Sequence, residues 1–288
     1  MTPLHHSLIF VKSQEPAVVQ AAVTVIQHLE HLKHPFALTV ASAHALGGAY
    51  SDRVDSNIAP KTYDHMIVIG GDGTLLSAAK YAIQHQLPII GINSGTVGFL
   101  ADVCPTDLRI LTTILSGDYF TETRHLLKVT LSDETTASAL NDIVLSRQAA
   151  RLLCYELFIN DSFVCAQRAD GLIISTPTGS TAYALSAGGS IIHPAIKAIA
   201  LTPLCPHRLS SRPIIVPSDS IIDIHLTSPT AQHDALVSCD GFDMTTAPIH
   251  QATIQHAPEA LQLIHPPHYC YFEALKHKLH WERSLTSS

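Results

Sequence analysis

The chain has 288 residues, enough for one large domain or two ordinary ones, and with 46% hydrophobic and only 14% charged residues it can bury a full core, which excludes a disordered protein. A formal net charge of −7 excludes a general nucleic-acid binder held by phosphate contacts, while 19 histidines, some titrating near neutrality, draw the true charge toward zero. No uncharged apolar run is long enough to span a bilayer, so neither nucleic acid nor membrane is an expected partner.

In chain order, Ser7 to Val11 is a short apolar run of strand length. The segment Pro16 to Lys33 then sets Val18, Val19, Ala22, Val25, Ile26 and Leu29 at helical spacing, and Phe36 to Val40 reads as a second strand. Between residues 43 and 62, Gly47-Gly48 and Pro60 mark loop. His65 to Ile69 reads as a buried strand, followed at once by glycines and by a helix from about Leu75. Pro88 to Ile92 is a further strand and Asp107 to Leu115 a further helix. Strands alternating with helices predict an α/β domain with a mostly parallel sheet, placed at residues 1–120.

From about Tyr119 the texture changes to short β-rich runs: Leu126–Leu131, Ile143–Leu145, Leu152–Ile159, Phe163–Ala166, Leu172–Ser175, Pro213–Val216, Ile221–Leu226, Ala235–Ser238 and Leu261–Ile264. Asn160-Asp161 is a hairpin-type pair between two of them. An all-β sandwich is predicted over residues 121–265, interrupted by one helix near Ser180 to Ala187. The tail, 266–288, regains helical periodicity through Tyr271, Leu275 and Leu279.

Six cysteines are scattered, with no C-x-x-C pair and no zinc-type cluster with histidine, so no protein-held metal site is expected. The opening MTPLHHSLIFVK has an apolar stretch too short for a signal-peptide core and lacks a basic leader. Reduced thiols and a cytoplasmic location are the expectation.

The sharpest motif is Gly70-Gly71-Asp72-Gly73-Thr74, between a buried strand and a helix. Glycines admit positive φ and close backbone approach, and a helix N-terminus presents N–H groups suited to phosphate oxygens, which makes Gly70, Gly71, Gly73 and Thr74 candidate phosphate-binding residues. An aspartate there makes sense if it orients a hydroxyl, takes its proton, or holds Mg²⁺ beside a triphosphate; otherwise it caps the helix. By composition this pentapeptide arises at roughly 10⁻⁶ per position, which favours function over chance. No Gly-Lys-Ser/Thr follows, so the turn is not a Walker loop, and it is not the Gly-x-Gly-x-x-Gly dinucleotide fingerprint.

Other candidates are individually weaker. Thr178, Ser180 and Thr181 offer hydroxyls in a Pro-led turn, for a phosphate, a ribose or plain helix capping. Tyr183 could stack on a base or sit in a core. Asn141 and Asp142 interrupt an apolar run, as a ligand site or as a turn. Asp170 before Gly171 fits a turn equally well, and Arg168 could pair with it or read a phosphate.

In this order the motifs resemble the NAD kinases. The glycine turn is also similar to that of diacylglycerol and sphingosine kinases and phosphofructokinase relatives, but lipid kinases usually place Asn-Glu soon after the threonine, where this chain has Leu75-Leu76-Ser77. Instead it carries Asn93-Ser94-Gly95-Thr96-Val97-Gly98-Phe99-Leu100, Asn141-Asp142, Asp170-Gly171 and Thr176-Pro177-Thr178-Gly179-Ser180-Thr181-Ala182-Tyr183, from about Ile67 to Phe272 in all. The resemblance implies a phosphofructokinase-like α/β domain, a β-sandwich, and a C-terminal segment returning to the first domain. It also implies a site in the cleft between domains, often built from two subunits, hence a homodimer or homotetramer.

The implied reaction is transfer of the γ-phosphoryl group of ATP, with a divalent metal, expected to be Mg²⁺, to the 2′-hydroxyl of the adenosine ribose of NAD. By the same resemblance Asp72 is the proton acceptor with Gly73 beside it, and Phe99 packs on an adenine. Asn141, Asp142 and Arg151 face NAD, Arg168 and Asp170 lie near the nicotinamide end, and Thr178, Thr181, Ala182, Tyr183 and Ser186 wrap the dinucleotide. Two departures stand out: Asp142 replaces the more usual glutamate, and Asp240-Gly241-Phe242 replaces Asp-Gly-Gln. The alternatives are a lipid or sugar kinase sharing the turn, and a non-catalytic dinucleotide sensor.

Overall fold

The computed structural model describes residues 2–59, 61–94, 98–147, 152–244 and 248–281. They form two compact units: one takes the chain up to Thr123 and again from Leu261, and the other is Arg124–Ala260.

The first unit begins with β1 (Ser7–Phe10), α1 (Pro16–His31), β2 (Phe36–Leu38), α2 (Val40–Ala45), β3 (His65–Ile69), α3 (Asp72–Gln84), β4 (Ile89–Ile92) and α4 (Arg109–Leu115). Helix α1 opens on Pro16, whose fixed φ suits the first helical position, and buries Val18, Ala21, Ala22, Val25, Ile26 and Leu29 along one stripe. The strand expected over Phe36 to Val40 stops at Leu38. The reason is Thr39, whose Oγ1 accepts the Ser42 N–H at 3.2 Å and so starts α2 at Val40. All five residues of β3 are buried, as a strand covered on both faces requires.

The chain leaves this unit along β5 (Phe120–Leu131) and enters an all-β unit: β6 (Thr136–Ala139), β7 (Asp142–Arg147), β8 (Leu153–Ile159), β9 (Ser162–Ala169) and β10 (Gly171–Ser175). A short helix α5 (Tyr183–Ser186) follows, then β11 (Ala198–Leu204), β12 (Ile214–Pro217) and β13 (Ile222–Leu226). Helix α6 (Pro229–Asp234), β14 (Ala235–Cys239), β15 (Phe242–Asp243) and β16 (Gln251–His265) complete the strands, and α7 (Tyr271–Leu279) ends the fold. In the second unit one antiparallel sheet runs β12-β11-β10-β7-β14-β15. A second set pairs β8 with β9 and β13, and β13 with the first residues of β16. Asn160 and Asp161, both at positive φ, close β8 onto β9.

The core of this unit is filled from both sets of strands: Ile143, Leu145, Leu172, Ile174 and Leu201 from one, Tyr155, Leu157, Ile222 and Ile224 from the other. Strands β8, β13 and β14 alternate buried and half-buried residues, the period-two signature of sheets with one covered face. The expected helix over Ser180 to Ala187 is shorter and broken. Residues Gly179–Thr181 form a 3₁₀ turn, and Ala182, at φ −102° and ψ −128°, interrupts the path before α5.

In the first unit the described strands β2-β1-β3-β4 and then the end of β16, where Leu263 lies beside Ile89, pair in parallel in that order. Helix α7 buries Tyr271, Ala274 and Leu275.

Candidate active site

The glycine turn sits where β3 gives way to α3. Gly70 has φ +150°, and a Cβ there would lie 2.5 Å from Thr74 Oγ1, so only glycine fits. Its N–H donates to the Ile92 carbonyl at 2.9 Å, which ties the turn to the end of β4. Gly71 is the N-cap of α3, and Asp72 is the first helical residue without capping through its side chain. Its carboxylate instead accepts backbone N–H groups from a neighbouring loop: Phe99 to Oδ2 at 3.4 Å and Leu100 to Oδ1 at 3.3 Å. Gly98 makes this approach possible, because a Cβ there would collide with Asp72 Oδ1.

Asp72 therefore lines an open cleft of about 650 Å³ with Gly71, Gly73, Thr74, Asn93 and Lys278. Lys12 and Glu15 also face it, and Lys12 Nζ donates to Ser77 Oγ at 3.1 Å. The Thr74 and Leu75 N–H groups already donate to the Gly71 carbonyl at 2.9 and 3.2 Å, which leaves those of Asp72 and Gly73 without intrahelical acceptors at a helix end that carries partial positive charge. A phosphate chain laid over Gly71–Thr74 meets these groups and two ammonium side chains. The structure thus brings Gly70, Gly71, Asp72, Gly73, Thr74 and Phe99 together. Lys12, Glu15 and Lys278 carried no motif and were not anticipated.

In the second unit, Asn141 and Asp142 stand where β7 begins. The Asp240 carboxylate accepts three successive backbone N–H groups there, from Leu140 at 2.8 Å, Asn141 at 2.7 Å and Asp142 at 3.3 Å. Asp142 is buried, and that burial, with the nearby charge of Asp240, pushes its carboxyl up to about 6. The Thr176–Thr181 turn is fixed to the same place: Thr176 Oγ1 donates to the Leu140 carbonyl at 2.6 Å and accepts the Gly179 N–H at 3.1 Å.

Several hydroxyls of that turn serve the scaffold. Ser180 Oγ donates to the Pro177 carbonyl at 2.6 Å and accepts the Ile192 N–H at 2.9 Å. Thr181 Oγ1 donates to the Thr178 carbonyl at 3.1 Å, and Thr178 Oγ1 accepts from the buried Arg124 at 3.4 Å. Tyr183 and Ser186 are exposed and Ala182 is half-buried. The hydroxyls of this turn are thus turned largely inward, while Asn141 is half-buried, Asp142 buried and the Tyr183 ring exposed.

Arg168 and Asp170 lie elsewhere. In the β7–β10 register Ser175 faces Asp142, whereas Gly171 faces Ser146. Asp170 therefore lies at the far end of β10 from Asn141 and Asp142, about 15 Å away at the usual strand rise. Asp170 accepts a hydrogen bond from the Cys205 thiol, which raises that thiol's pKa. Arg168 lines a separate cleft of about 540 Å³ with His207 and Arg208. Within one chain these two residues do not join the Asn141–Asp142 group. Arg151 lies outside the described residues, as do Gly95, Thr96 and Val97.

Residues 8–119 match the ATP-NAD kinase N-terminal domain and residues 140–265 the ATP-NAD kinase C-terminal domain. NAD kinase from Coxiella burnetii is 44% identical over 272 residues, covering 92% of this chain and 91% of that protein. NAD kinase from Pseudomonas aeruginosa is 45% identical over 229 residues, 77% of each. Among solved structures, yeast NADH kinase complexed with NADH superposes at TM-score 0.85 with 26% identity, covering 100% of this chain and 91% of that one. An NAD kinase from Archaeoglobus fulgidus in complex with ATP, at TM-score 0.66 and 23% identity over 90% of this chain and 92% of that one, shares the fold. With matches across both domains and near-full-length relatives at this identity, the chain belongs to the NAD kinase family.

Proposed function

We propose that the chain transfers the γ-phosphoryl group of ATP to the 2′-hydroxyl of the adenosine ribose of NAD, giving NADP, with Asp72 as the group that orients the hydroxyl and accepts its proton. The observation that carries this reading is the Asp72 carboxylate itself. It heads α3 without capping it, is held by the Phe99 and Leu100 N–H groups, and opens onto a cleft beside the glycine turn. A helix cap or a pure anion site has no use for a carboxylate in that place.

Transfer needs no covalent enzyme intermediate, so catalysis rests on positioning and charge neutralisation. Gly71, Gly73 and Thr74 supply the backbone surface for the phosphates, and Phe99 offers a half-buried ring for an adenine. Asn141 and Asp142 are the expected partners of dinucleotide hydroxyls, with Thr178, Thr181, Ala182, Tyr183 and Ser186 around them. Arg168 and Asp170 recognise another part of the dinucleotide, and Arg151 belongs to the same set by family position. A homodimer or homotetramer is part of this reading. Phe163, Leu209, Ile215 and Phe242, all exposed, are the kind of surface such an assembly covers.

A divalent metal, expected to be Mg²⁺, fits the cleft as a companion of the nucleotide. No cluster of three or more His, Cys, Asp or Glu that could cage a metal occurs among the described residues, whereas Glu15 and Asn93 offer the hard oxygen donors such an ion takes alongside phosphates. When bound it neutralises phosphate charge. No helix among the described residues is long and apolar enough to cross a membrane, and a cytoplasmic location accompanies the proposal.

The test is NADP formation by the purified protein with NAD, ATP and Mg²⁺, beside Asp72→Asn. General-base assistance contributes roughly 10²–10⁴ in rate, and the variant is expected to lose about that much while keeping its melting temperature. An Asn variant as fast as wild type would remove Asp72 from the mechanism. NAD binding without turnover in the wild type would favour the sensor reading.

A further inference from the structure

Helix α7 buries Tyr271, Ala274 and Leu275, at positions i, i+3 and i+4 of one stripe. The next position on that stripe, i+7, is Lys278. An apolar residue is the usual occupant there, whereas the neighbouring Lys276 and His277 point to solvent in the ordinary way. The Lys278 side chain is only 30% exposed. Its ammonium lies 3.9 Å from Asp72 Oδ2 and 6.0 Å from the centre of the Phe99 ring, and it lines the same cleft as Gly71, Gly73 and Thr74.

Stability does not account for this placement. The Asp72 partner is 32% exposed and the separation is long, and such pairs contribute about 0–1 kcal/mol. A lysine withdrawn from water for so little return points to a ligand. The cleft offers one: a phosphate chain over the glycine turn brings several anionic oxygens into the space that Lys278 and Lys12 share with Asp72.

We propose that Lys278 contacts the phosphoryl group in transfer, bridging its oxygens and the Asp72 carboxylate; the assignment rests on the reading of Asp72 as proton acceptor. In the step itself the ribose 2′-oxygen forms a bond to the γ-phosphorus, and the bond from that phosphorus to the β–γ bridging oxygen breaks. The electron pair of the broken bond leaves on the β-phosphate of ADP, and the hydroxyl proton goes to Asp72. Before the step, the ammonium divides its attraction between Asp72 and the phosphate. As Asp72 takes the proton its charge falls to zero, and the full field of Lys278 then acts on the phosphoryl oxygens. Stabilisation that grows along the reaction coordinate lowers the barrier rather than merely tightening substrate binding.

The experiment compares kcat, the KM values for NAD and ATP, and melting temperature for wild type, Lys278→Met, Lys278→Arg and Asp72→Asn. Lys278→Met should lose about 10²–10³ in kcat, the range for removal of one preorganised donor to developing charge. Its KM for NAD should stay within about twofold, because a change confined to the transition state leaves ground-state binding alone. Lys278→Arg, which keeps the charge, should recover at least roughly a tenth of the wild-type rate, a recovery that a packing role does not give. If Lys278→Met fails to fold, Lys278→Gln, polar at this half-buried position, is held to the same criteria. The proposal is overturned by a Met or Gln variant within about threefold of the wild-type kcat, or by Arg and Met variants losing equally. A normal Lys278→Met beside an inactive Asp72→Asn sinks this proposal alone. A fully active Asp72→Asn beside an impaired Lys278→Met sinks the proton-acceptor reading and leaves the phosphate contact standing.

Discussion

Asp142 is the residue at which stability and binding pull apart. Its carboxyl is buried beside Asp240, which is already engaged by three backbone N–H groups, and the folded protein holds it near 6 against 3.8 in the unfolded chain. A raised carboxyl pKa means that folding disfavours the ionised form. The penalty is absent below pH 3.8, accrues between 3.8 and 6, and is complete above 6, where the shift corresponds to about 3 kcal/mol. A dinucleotide hydroxyl donating to Asp142 would offset it. Asp142→Asn should therefore raise the melting temperature more at pH 7.5 than at pH 4, while the KM for NAD rises about ten- to a hundredfold, the cost of a lost hydrogen bond to a charged group. A stability gain equal at both pH values would refute the account. Asp72 was legible because strand, glycines and helix start converge on it within a few residues. The role of Asp240 was not, because its carboxylate reaches backbone about a hundred positions away and an Asp-Gly pair reads locally only as a turn. Lys278 was hidden for a similar reason: a lysine in the last turn of a terminal helix reads as solvated charge favourable to the helix dipole.

At the scale of elements, hydrophobic periodicity disclosed α1, β3 and the β-rich second half, where apolar spacing alone decides the element. It failed where one polar atom decides: Thr39 ends β2 by capping α2, and the Ser180 and Thr181 hydroxyls hold a 3₁₀ turn where a regular helix was expected. The join between β5, the end of β16 and the following turn shows such an arrangement of polar groups. His265 is 1% exposed and lies between two carboxylates: Nδ1 bonds Asp102 Oδ2, Nε2 lies 3.1 Å from Glu122 Oε2, and the ring stacks on Tyr269 at 4.0 Å. Burial pushes the imidazole down, and hydrogen bonds and charge from Asp102 and Glu122 outweigh it, so its pKa ends above 6.5. For a raised histidine the stabilisation is fully present below pH 6.5 and is lost as pH rises through the folded value. The difference in melting temperature between wild type and His265→Gln should therefore be largest at pH 6 and shrink steadily toward pH 9. A difference that does not move over that range would mean the imidazole contributes packing and not charge.

At the scale of the whole molecule, the two units differ in how the chain makes them. The second, Arg124–Ala260, is one continuous stretch with its own core. The first is discontinuous: Leu263 pairs with β4, Ile264 belongs to its core, and α7 adds Tyr271, Ala274 and Leu275. Leucine or isoleucine truncation in a core costs about 2–5 kcal/mol each, against a typical total of about 5–15, so loss of the whole returning segment exceeds what the unit can spare. The fragment 1–123 should accordingly fail to fold, while 124–260 should melt cooperatively and give dispersed amide resonances. The two pieces of the first unit meet closely where the chain was cut: Thr123 Oγ1 lies 3.2 Å and 3.0 Å from the amide oxygen and nitrogen of Gln262. Joining 1–123 to 261–288 through a short Gly/Ser linker therefore closes a small gap, and loop closure that short adds little entropic cost. The joined chain should regain a cooperative melt, and with it the pairing of Lys278 with Asp72. A cooperative melt by 1–123 alone would show that the returning segment is an accessory to this unit, and the placement of Lys278 would then have to be explained without it.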